Sequence, residues 1–168
     1  MSKILIIEDE PAIRRVLIKI LSEEDKSHEI DEAENGIEAI NKIKKNSYDL
    51  IVSDIKMPKV DGMEVLDFSK KTIPETPIIM ISGHGDLELA VDSMKKGAFD
   101  YISKPPDLNR LLTTVRNALD RKQLVVENKL LRKKINKNFE MIGKTKPINE
   151  IRDLIDKVAE KDAKIFIN

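Results

Sequence analysis

Lys3-Ile-Leu-Ile-Ile7, Asp49-Leu-Ile-Val-Ser53 and Pro77-Ile-Ile-Met-Ile81 are short runs of β-branched and aliphatic residues, and the stretches between them decide the fold. Apolar runs of this length bounded by polar residues are what strands buried on both faces look like. The intervening stretches change period. Ile13, Val16, Leu17, Ile20 and Leu21 make one helix face after Pro11, which suits a first turn, and Ile37, Ile40 and Ile43 make a second after the turn at Asn35-Gly36. Weaker strands fit Glu29 to Ala33 and Phe99 to Ile102. Further helices fit Met63 to Lys71, Asp86 to Lys96 with Gly97 as its stop, and the chain from Asp107 onward. Five strands alternating with five helices predict an α/β, doubly wound parallel sheet with right-handed crossovers. Ligands of such sheets gather at the carboxyl ends of the strands, where strand order reverses.

The chain of 168 residues is 40% hydrophobic, enough for one compact core plus an appendage. It has no cysteine and two histidines, His28 and His84, which excludes a disulfide framework, a thiolate zinc site, a cysteine nucleophile and a histidine-rich metal cage. The apolar run at its start is too brief for a signal-peptide core, and no stretch is long enough to span a bilayer. The expectation is a soluble, cytoplasmic protein without membrane contact. Zero net charge conceals an asymmetry: residues 1–106 carry 15 Lys+Arg against 21 Asp+Glu, residues 107–146 carry 11 against 4, and the rest 4 against 5. The basic middle segment reads as a lysine-rich, solvated helix face.

From Asp107 to about Asn136 there is no proline or glycine, so the helix expected there continues well past five turns. Leu124, Asn128, Leu131 and Ile135 come at steps of four, three and four, the spacing of a coiled-coil seam with an amide in a core position. A dimer through this 107–136 helix is the expectation, and a single amphipathic helix packed on its own domain is the alternative.

The chemistry collects at the strand ends. Glu8 and Asp9 stand after the first strand, Asp54 after the third, Ser82 after the fourth and Lys104 after the fifth. Clustered carboxylates resist shared ionisation unless a cation sits among them, and hard oxygen ligands suit Mg²⁺ better than zinc. Transfer of a phosphoryl group to a carboxylate needs a nucleophile, a metal, a cation for the remaining charge and a hydroxyl for a third oxygen. Each part has a candidate here.

On Glu8-Asp9, Asp54-Ile-Lys-Met-Pro-Lys-Val-Asp-Gly62, Ser82-Gly83, Tyr101 and Lys104-Pro105, the first two-thirds of the chain resembles response-regulator receiver domains. The resemblance implies a flavodoxin-like sheet of order 2-1-3-4-5 and a sensor histidine kinase that phosphorylates Asp54. It implies Mg²⁺ organised by the acidic pair, with the backbone carbonyl of Lys56 completing the protein ligands. By the same resemblance Lys104 pairs with the phosphoryl group, before a proline that is usually cis. Ser82 moves toward a phosphoryl oxygen, and Tyr101 turns inward into the vacated space. Many receivers have two aspartates where this chain has Glu8-Asp9. With its extra methylene, Glu8 is expected to reach the ion through water, or to support its ligands, while Asp9 and Asp54 bind directly.

Phe139-Glu-Met-Ile-Gly-Lys-Thr-Lys-Pro147, a helix carrying Ile148, Ile151, Leu154, Ile155 and Val158, and Ala163-Lys-Ile-Phe-Ile-Asn168 resemble the opening of the AAA+ ATPase domain of NtrC-type, sigma-54-dependent activators. The segment His84 to Tyr101 resembles the receivers of that subfamily. The expected organisation is a receiver core over 1–106, its last helix extended into a coiled-coil linker over 107–138, and the start of an AAA+ domain over 139–168. Sigma-54 RNA polymerase, ATP and enhancer DNA would be partners of the whole activator, whose receiver face and helix form the homodimer.

Other readings are weaker. Asp54 alone reads as a strand-end aspartate capping a loop. An aspartate-nucleophile phosphatase of the haloacid-dehalogenase kind needs a second aspartate two residues on, where this chain has Lys56, so turnover of external phosphate esters is not expected. A flavin carrier on the same fold needs a phosphate-cradling first loop, and here that loop is acidic. A stand-alone receiver would differ only beyond Asn168. Asp61-Gly62 reads as a turn with glycine at positive φ, His84 as a loop histidine, and Gly143-Lys-Thr145 fails as a phosphate loop because Asn138 stands where its first glycine belongs.

Overall fold

The structure, a computed structural model, describes residues 2–83, 87–138 and 145–158. Five strands, β1 (Lys3–Ile7), β2 (Glu29–Ala33), β3 (Leu50–Asp54), β4 (Ile78–Ser82) and β5 (Asp100–Ser103), form one parallel sheet in the order β2-β1-β3-β4-β5. Between and after them run α1 (Pro11–Glu24), α2 (Gly36–Lys45), α3 (Gly62–Thr72), α4 (Leu87–Lys95), α5 (Leu108–Asn138) and α6 (Lys146–Val158). The predicted fold class and strand order both hold. Strands three and four begin and end one residue later than their apolar runs, so Asp54 and Ser82 are the last residues of their strands.

Alternate residues of the strands serve two cores. Leu5, Ile7, Ile51, Ile78 and Met80 pack with Ala39, Ile43, Val65 and Leu66 of α2 and α3. Ile4, Ile6, Leu50, Val52, Ile79, Ile81 and Ile102 pack with Leu17 and Leu21 of α1 and Leu111, Val115 and Ala118 of α5. Period-two alternation with both faces apolar is why these strands read as continuous hydrophobic runs. Each buried aliphatic side chain contributes about 1.5–3 kcal/mol.

Two members of the predicted helix faces point outward. Val16 is 55% and Ile37 is 45% exposed. At about 100° per residue Val16 lies roughly 100° from Leu17 and 140° from Leu21, so it falls on the flank of its stripe. Ile37 stands about 120° or more from the buried Ala39 and Ile43.

Helix starts are capped by residues of the loops between strand and helix. The Asn35 side chain accepts from Glu38 N at 2.9 Å, and Asp61 and Glu64 form a reciprocal capping box at the start of α3. Gly62 differs from expectation. Its φ is not positive; Lys59 holds φ 72° in that loop, and Gly97 holds φ 92° just after α4. Gly62 is required because a Cβ there would stand 2.0 Å from the Asp54 carbonyl oxygen.

Packing divides the chain into Met1–Glu127 and Asn128–Asn168. In the first unit α5 buries Leu111, Val115 and Ala118, and further along Leu124 is 65% exposed. In the second, Leu131 is 50% exposed and Ile151 and Ile155 of α6 are 47% and 46% exposed. His84, the Ile135 and Leu154 side chains, Gly143-Lys144 and the expected strand at Ala163–Asn168 lie outside the described residues.

Candidate functional site

Sheet register builds the site. Ile7 pairs with Ser53, so Glu8 comes abreast of Asp54 at the rim; Asp54 pairs with Ile81, so Ser82 stands one step beyond; Ser82 pairs with Ser103, which brings Lys104 alongside. Lys104 N donates to the Ser82 carbonyl at 2.6 Å, and the Lys104–Pro105 peptide is cis. Four strand ends therefore deliver their polar residues to one place at the switch in strand order.

Glu8 and Ser82 are fully buried and Asp54 is 5% exposed. Lys104 Nζ lies 2.8 Å from Glu8 Oε2 and 2.9 Å from Asp54 Oδ2. Ile55 N donates to the other Asp54 oxygen, Oδ1, at 2.9 Å, which fixes the carboxylate plane. Glu10 N donates to Glu8 Oε1 at 3.3 Å, while Glu8 Oε2 is buried without an aligned hydrogen-bond donor, its charge balanced by Lys104. One oxygen from each of Glu8, Asp9 and Asp54 falls within 4.8 Å of the others.

Burial pushes the Glu8 and Asp54 carboxyls above the ordinary carboxylate range; Lys104 pulls both back without cancelling it, and the Asp54 charge raises Glu8 further. Burial alone would lower the Lys104 ammonium, but its bonds to Glu8 and Asp54 outweigh that and hold it above its ordinary value. Three carboxylates against one ammonium leave the pocket short of positive charge. A divalent cation bound by hard oxygen donors fits that deficit.

The structure gathers Glu8, Asp54, Ser82 and Lys104 directly, with half-buried Asp9 beside them. Tyr101 lies farther along β5, half-buried against the α2 and α3 core, its carbonyl accepting from Arg110 at 2.9 Å. Sequence reasoning missed one residue and gave another the wrong reason. Arg14, in the first turns of α1, donates to the Glu8 carbonyl at 2.6 Å and pairs with Glu32 at 2.9 Å, fixing the acidic loop from below. Its target is a backbone atom, which leaves no side-chain pattern; the only available signal was a basic residue soon after the acidic pair. Gly62 closes the loop after Asp54 as expected, its amide donating to the Ile55 carbonyl at 2.9 Å, but it is needed for the space a Cβ would fill and not for a positive φ.

Comparison with known proteins bears on the same region. The family model described as response regulator receiver domain matches residues 4–116. The nitrogen assimilation regulatory protein NtrX of Azorhizobium caulinodans is 36% identical over 166 residues, which is 98% of this chain and 36% of that protein. The C4-dicarboxylate transport transcriptional regulatory protein DctD of Pseudomonas aeruginosa is 32% identical over 178 residues, 99% of this chain and 36% of that one. The chain thus spans about a third of the length of these curated relatives. Among solved structures, NtrX from Brucella abortus superimposes with TM-score 0.73 at 35% identity over 98% of this chain and 36% of that one, and the same protein has been solved with ADP and with ATP. A response regulator receiver domain protein from Clostridium thermocellum gives TM-score 0.69 at 37% identity, covering 74% of this chain and 99% of that one. The chain belongs to the response regulator receiver domain family of two-component systems, with NtrC-type regulators such as NtrX and DctD as its relatives.

Proposed function

We propose that Asp54 accepts a phosphoryl group from the phosphohistidine of a sensor histidine kinase in a Mg²⁺-dependent reaction. A carboxylate oxygen of Asp54 attacks phosphorus, and the P–N bond to the donor imidazole breaks. Its electron pair stays on the nitrogen, which takes a proton from solvent, and the product is aspartyl phosphate. The observation that carries this reading is Lys104 Nζ, 2.8 Å from Glu8 and 2.9 Å from Asp54, at a rim where four strand ends meet.

Asp9 and Asp54, with the Lys56 carbonyl, would hold the ion, and Glu8 would serve through water or by supporting its ligands. A Mg²⁺ ion held there would supply charge neutralisation for the phosphoryl oxygens as they approach the Asp54 carboxylate. The chain's own groups do the rest. Ile55 N–H keeps Asp54 Oδ1 in place, which leaves Oδ2 and Lys104 facing the incoming group. Lys104 then balances charge on the transferred phosphoryl. Ser82, buried at the end of β4, offers its hydroxyl to a phosphoryl oxygen, and Tyr101 on the neighbouring strand responds. This is regulatory chemistry on the chain itself, without turnover of an external substrate.

Beyond the receiver, we assign 107–138 to a dimerising linker and 139–168 to the start of an AAA+ domain. Supporting this, the relatives align over 98–99% of this chain, tail included, although the chain is about a third of their length. In the whole protein, phosphorylation would switch a homodimer formed through α5 and the receiver face. That switch would control an ATPase acting on sigma-54 RNA polymerase from enhancer DNA, in the cytoplasm. No helix among the described residues is long and apolar enough to cross a membrane.

The test is intact mass after incubation with a small phosphodonor and Mg²⁺. One added phosphoryl group is expected, lost in Asp54→Asn and on chelation of the metal. Retention of the label in Asp54→Asn overturns the assignment.

A further inference from the structure

At the end of the sheet opposite Asp54, three cationic side chains converge on one recess. It measures about 220 Å³ and is bounded by the end of α3, the approach to β4, the turn before β5 and the middle of α5. Lys70 and Lys122 both reach toward Thr76: Lys70 Nζ donates to its carbonyl at a long 3.4 Å, and Lys122 Nζ donates to its hydroxyl at 3.1 Å. Thr76 Oγ1 in turn donates to the Tyr48 carbonyl at 3.1 Å, so Lys122 is anchored to a buried residue. The Arg121 guanidinium lies 5.7 Å from the centre of the Phe99 ring, a cation–π contact that holds it at the mouth. Gly97, at φ 92°, faces the stem of Lys70: a Cβ placed there would stand 3.7 Å from Lys70 Cδ and Cε. Glu75 also lines the recess and has a partner of its own.

None of the three cations forms an ion pair with a carboxylate among the described residues; their partners are a carbonyl, a hydroxyl and a ring. Burial, helped by the Arg121 charge, holds the Lys70 ammonium below its ordinary value. Like charges held together in a half-buried place oppose folding unless something neutralises them. An anion with more than one charge would offset them. The volume is below that of typical drug-sized sites, so it suits a phosphate or diphosphate head group rather than a whole nucleotide. Arg121 offers a planar fork and the lysines offer point charges, the combination that grips phosphate oxygens.

We propose that the recess formed by Lys70, Arg121 and Lys122 binds a small phosphate-bearing anion, independently of phosphorylation at Asp54. Because the recess spans the approach to β4 and the middle of α5, occupancy would tighten α5 against the receiver on the side where the helix leaves it.

The probe is inorganic diphosphate, titrated into the ¹⁵N-labelled chain at constant ionic strength with EDTA present, so that the acidic rim repels it. Saturable amide shifts are expected at Lys70, Thr76, Gly97, Phe99, Arg121 and Lys122, and they should persist in Asp54→Asn. Arg121→Gln and Lys70→Met should each weaken binding by about tenfold or more. Both variants should still accept a phosphoryl group at Asp54, which separates this inference from the reading of the acidic site. Non-saturable shifts, shifts confined to Glu8, Asp9 and Lys104, or equal affinity in both variants would overturn it. Tighter binding of a short polyglutamate peptide than of diphosphate would overturn the ligand class and assign the recess to an acidic protein segment.

Discussion

Replacing Gly62 by alanine tests how the loop after β3 holds Asp54, the proposed phosphoacceptor. The new Cβ would lie 2.0 Å from the Asp54 carbonyl oxygen and 2.9 Å from both the Asp54 carbonyl carbon and Ile55 Cα. All three are backbone atoms, so no side chain can swing away. Ordinary contact between carbon and oxygen needs well over 3 Å, so the loop must move by about 1 Å or more. It is poorly able to do so. Gly62 N donates to the Ile55 carbonyl at 2.9 Å, Ile55 N donates to the Ile81 carbonyl at 2.9 Å, and the Asp61–Glu64 capping box locks the start of α3. Overpacking a close-packed site costs about 1–3 kcal/mol, and an all-backbone clash belongs at the upper end. For a domain of this size that corresponds to a fall in melting temperature of roughly 5–15 °C.

The functional effect should exceed the stability effect, because the displaced atoms belong to Asp54. A 1 Å error in the position of a nucleophile can cost about a hundredfold in rate. Thermal unfolding and the rate of labelling by a small phosphodonor with Mg²⁺, measured below the unfolding transition, give the two numbers. A melting point within about 2 °C of the parent together with an unchanged labelling rate would refute the steric account of this glycine.

Lys104→Met should leave Glu8 and Asp54 buried without their cation, at a cost of about 3–5 kcal/mol in metal-free solution; Mg²⁺ should recover more stability in this variant than in the parent, and equal recovery in thermal shifts would contradict the charge balance drawn here. The Lys70 ammonium faces Arg121 and Lys122 with Glu75 nearby, and its folded pKa lies below the ordinary 10.5. The unfolded chain therefore binds more protons in that window, so stability should rise as pH climbs toward 10.5, and Lys70→Met should flatten that rise in urea titrations. An identical slope would show that Lys70 is not destabilised by its neighbours. Leu131→Asp, on the exposed face of α5, should convert a dimer to a monomer in light scattering; an unchanged mass would remove the helix as the dimer element.

The fold was legible because its central strands are buried on both faces and so carry unbroken runs such as Leu50-Ile-Val52. The edge strand β2, Glu29-Ile-Asp-Glu-Ala33, gave a fainter signal. It has only one neighbour, and its outer residues spend their side chains on surface pairs such as Lys3–Glu29 at 2.6 Å. Helix faces were legible as stripes but not at their margins, where Val16 and Ile37 fall toward solvent: periodicity gives a direction, and the sheet sets the width. The acidic rim could be read because each strand end contributes a chemically distinct side chain. Arg14 could not, since it acts on a backbone carbonyl, and Gly62 was legible as a turn residue but not in its reason, which is the absence of a side chain against the Asp54 carbonyl.

The same register that assembles the rim gives the proposed switch a short path. Ser82 is fully buried and pairs with Ser103, its carbonyl accepts from Lys104 N at 2.6 Å, and Met80, two residues earlier, pairs with Tyr101. A displacement of Ser82 toward Asp54 would therefore act on β5 through ladder bonds already in place, without an intervening loop. On the far side of Tyr101, its carbonyl accepts from Arg110 of α5, and Asp100 of the same strand accepts from Thr114 at 3.2 Å. Strand β5 is thus tied to β4 on one side and to α5 on the other, while α4 beside it exposes Val91 and Met94. Only a few kcal/mol of differential contact are needed to exchange two dimer arrangements. A rearrangement of two or three such side-chain contacts is of that size, so the proposed switch would require no large movement of the sheet.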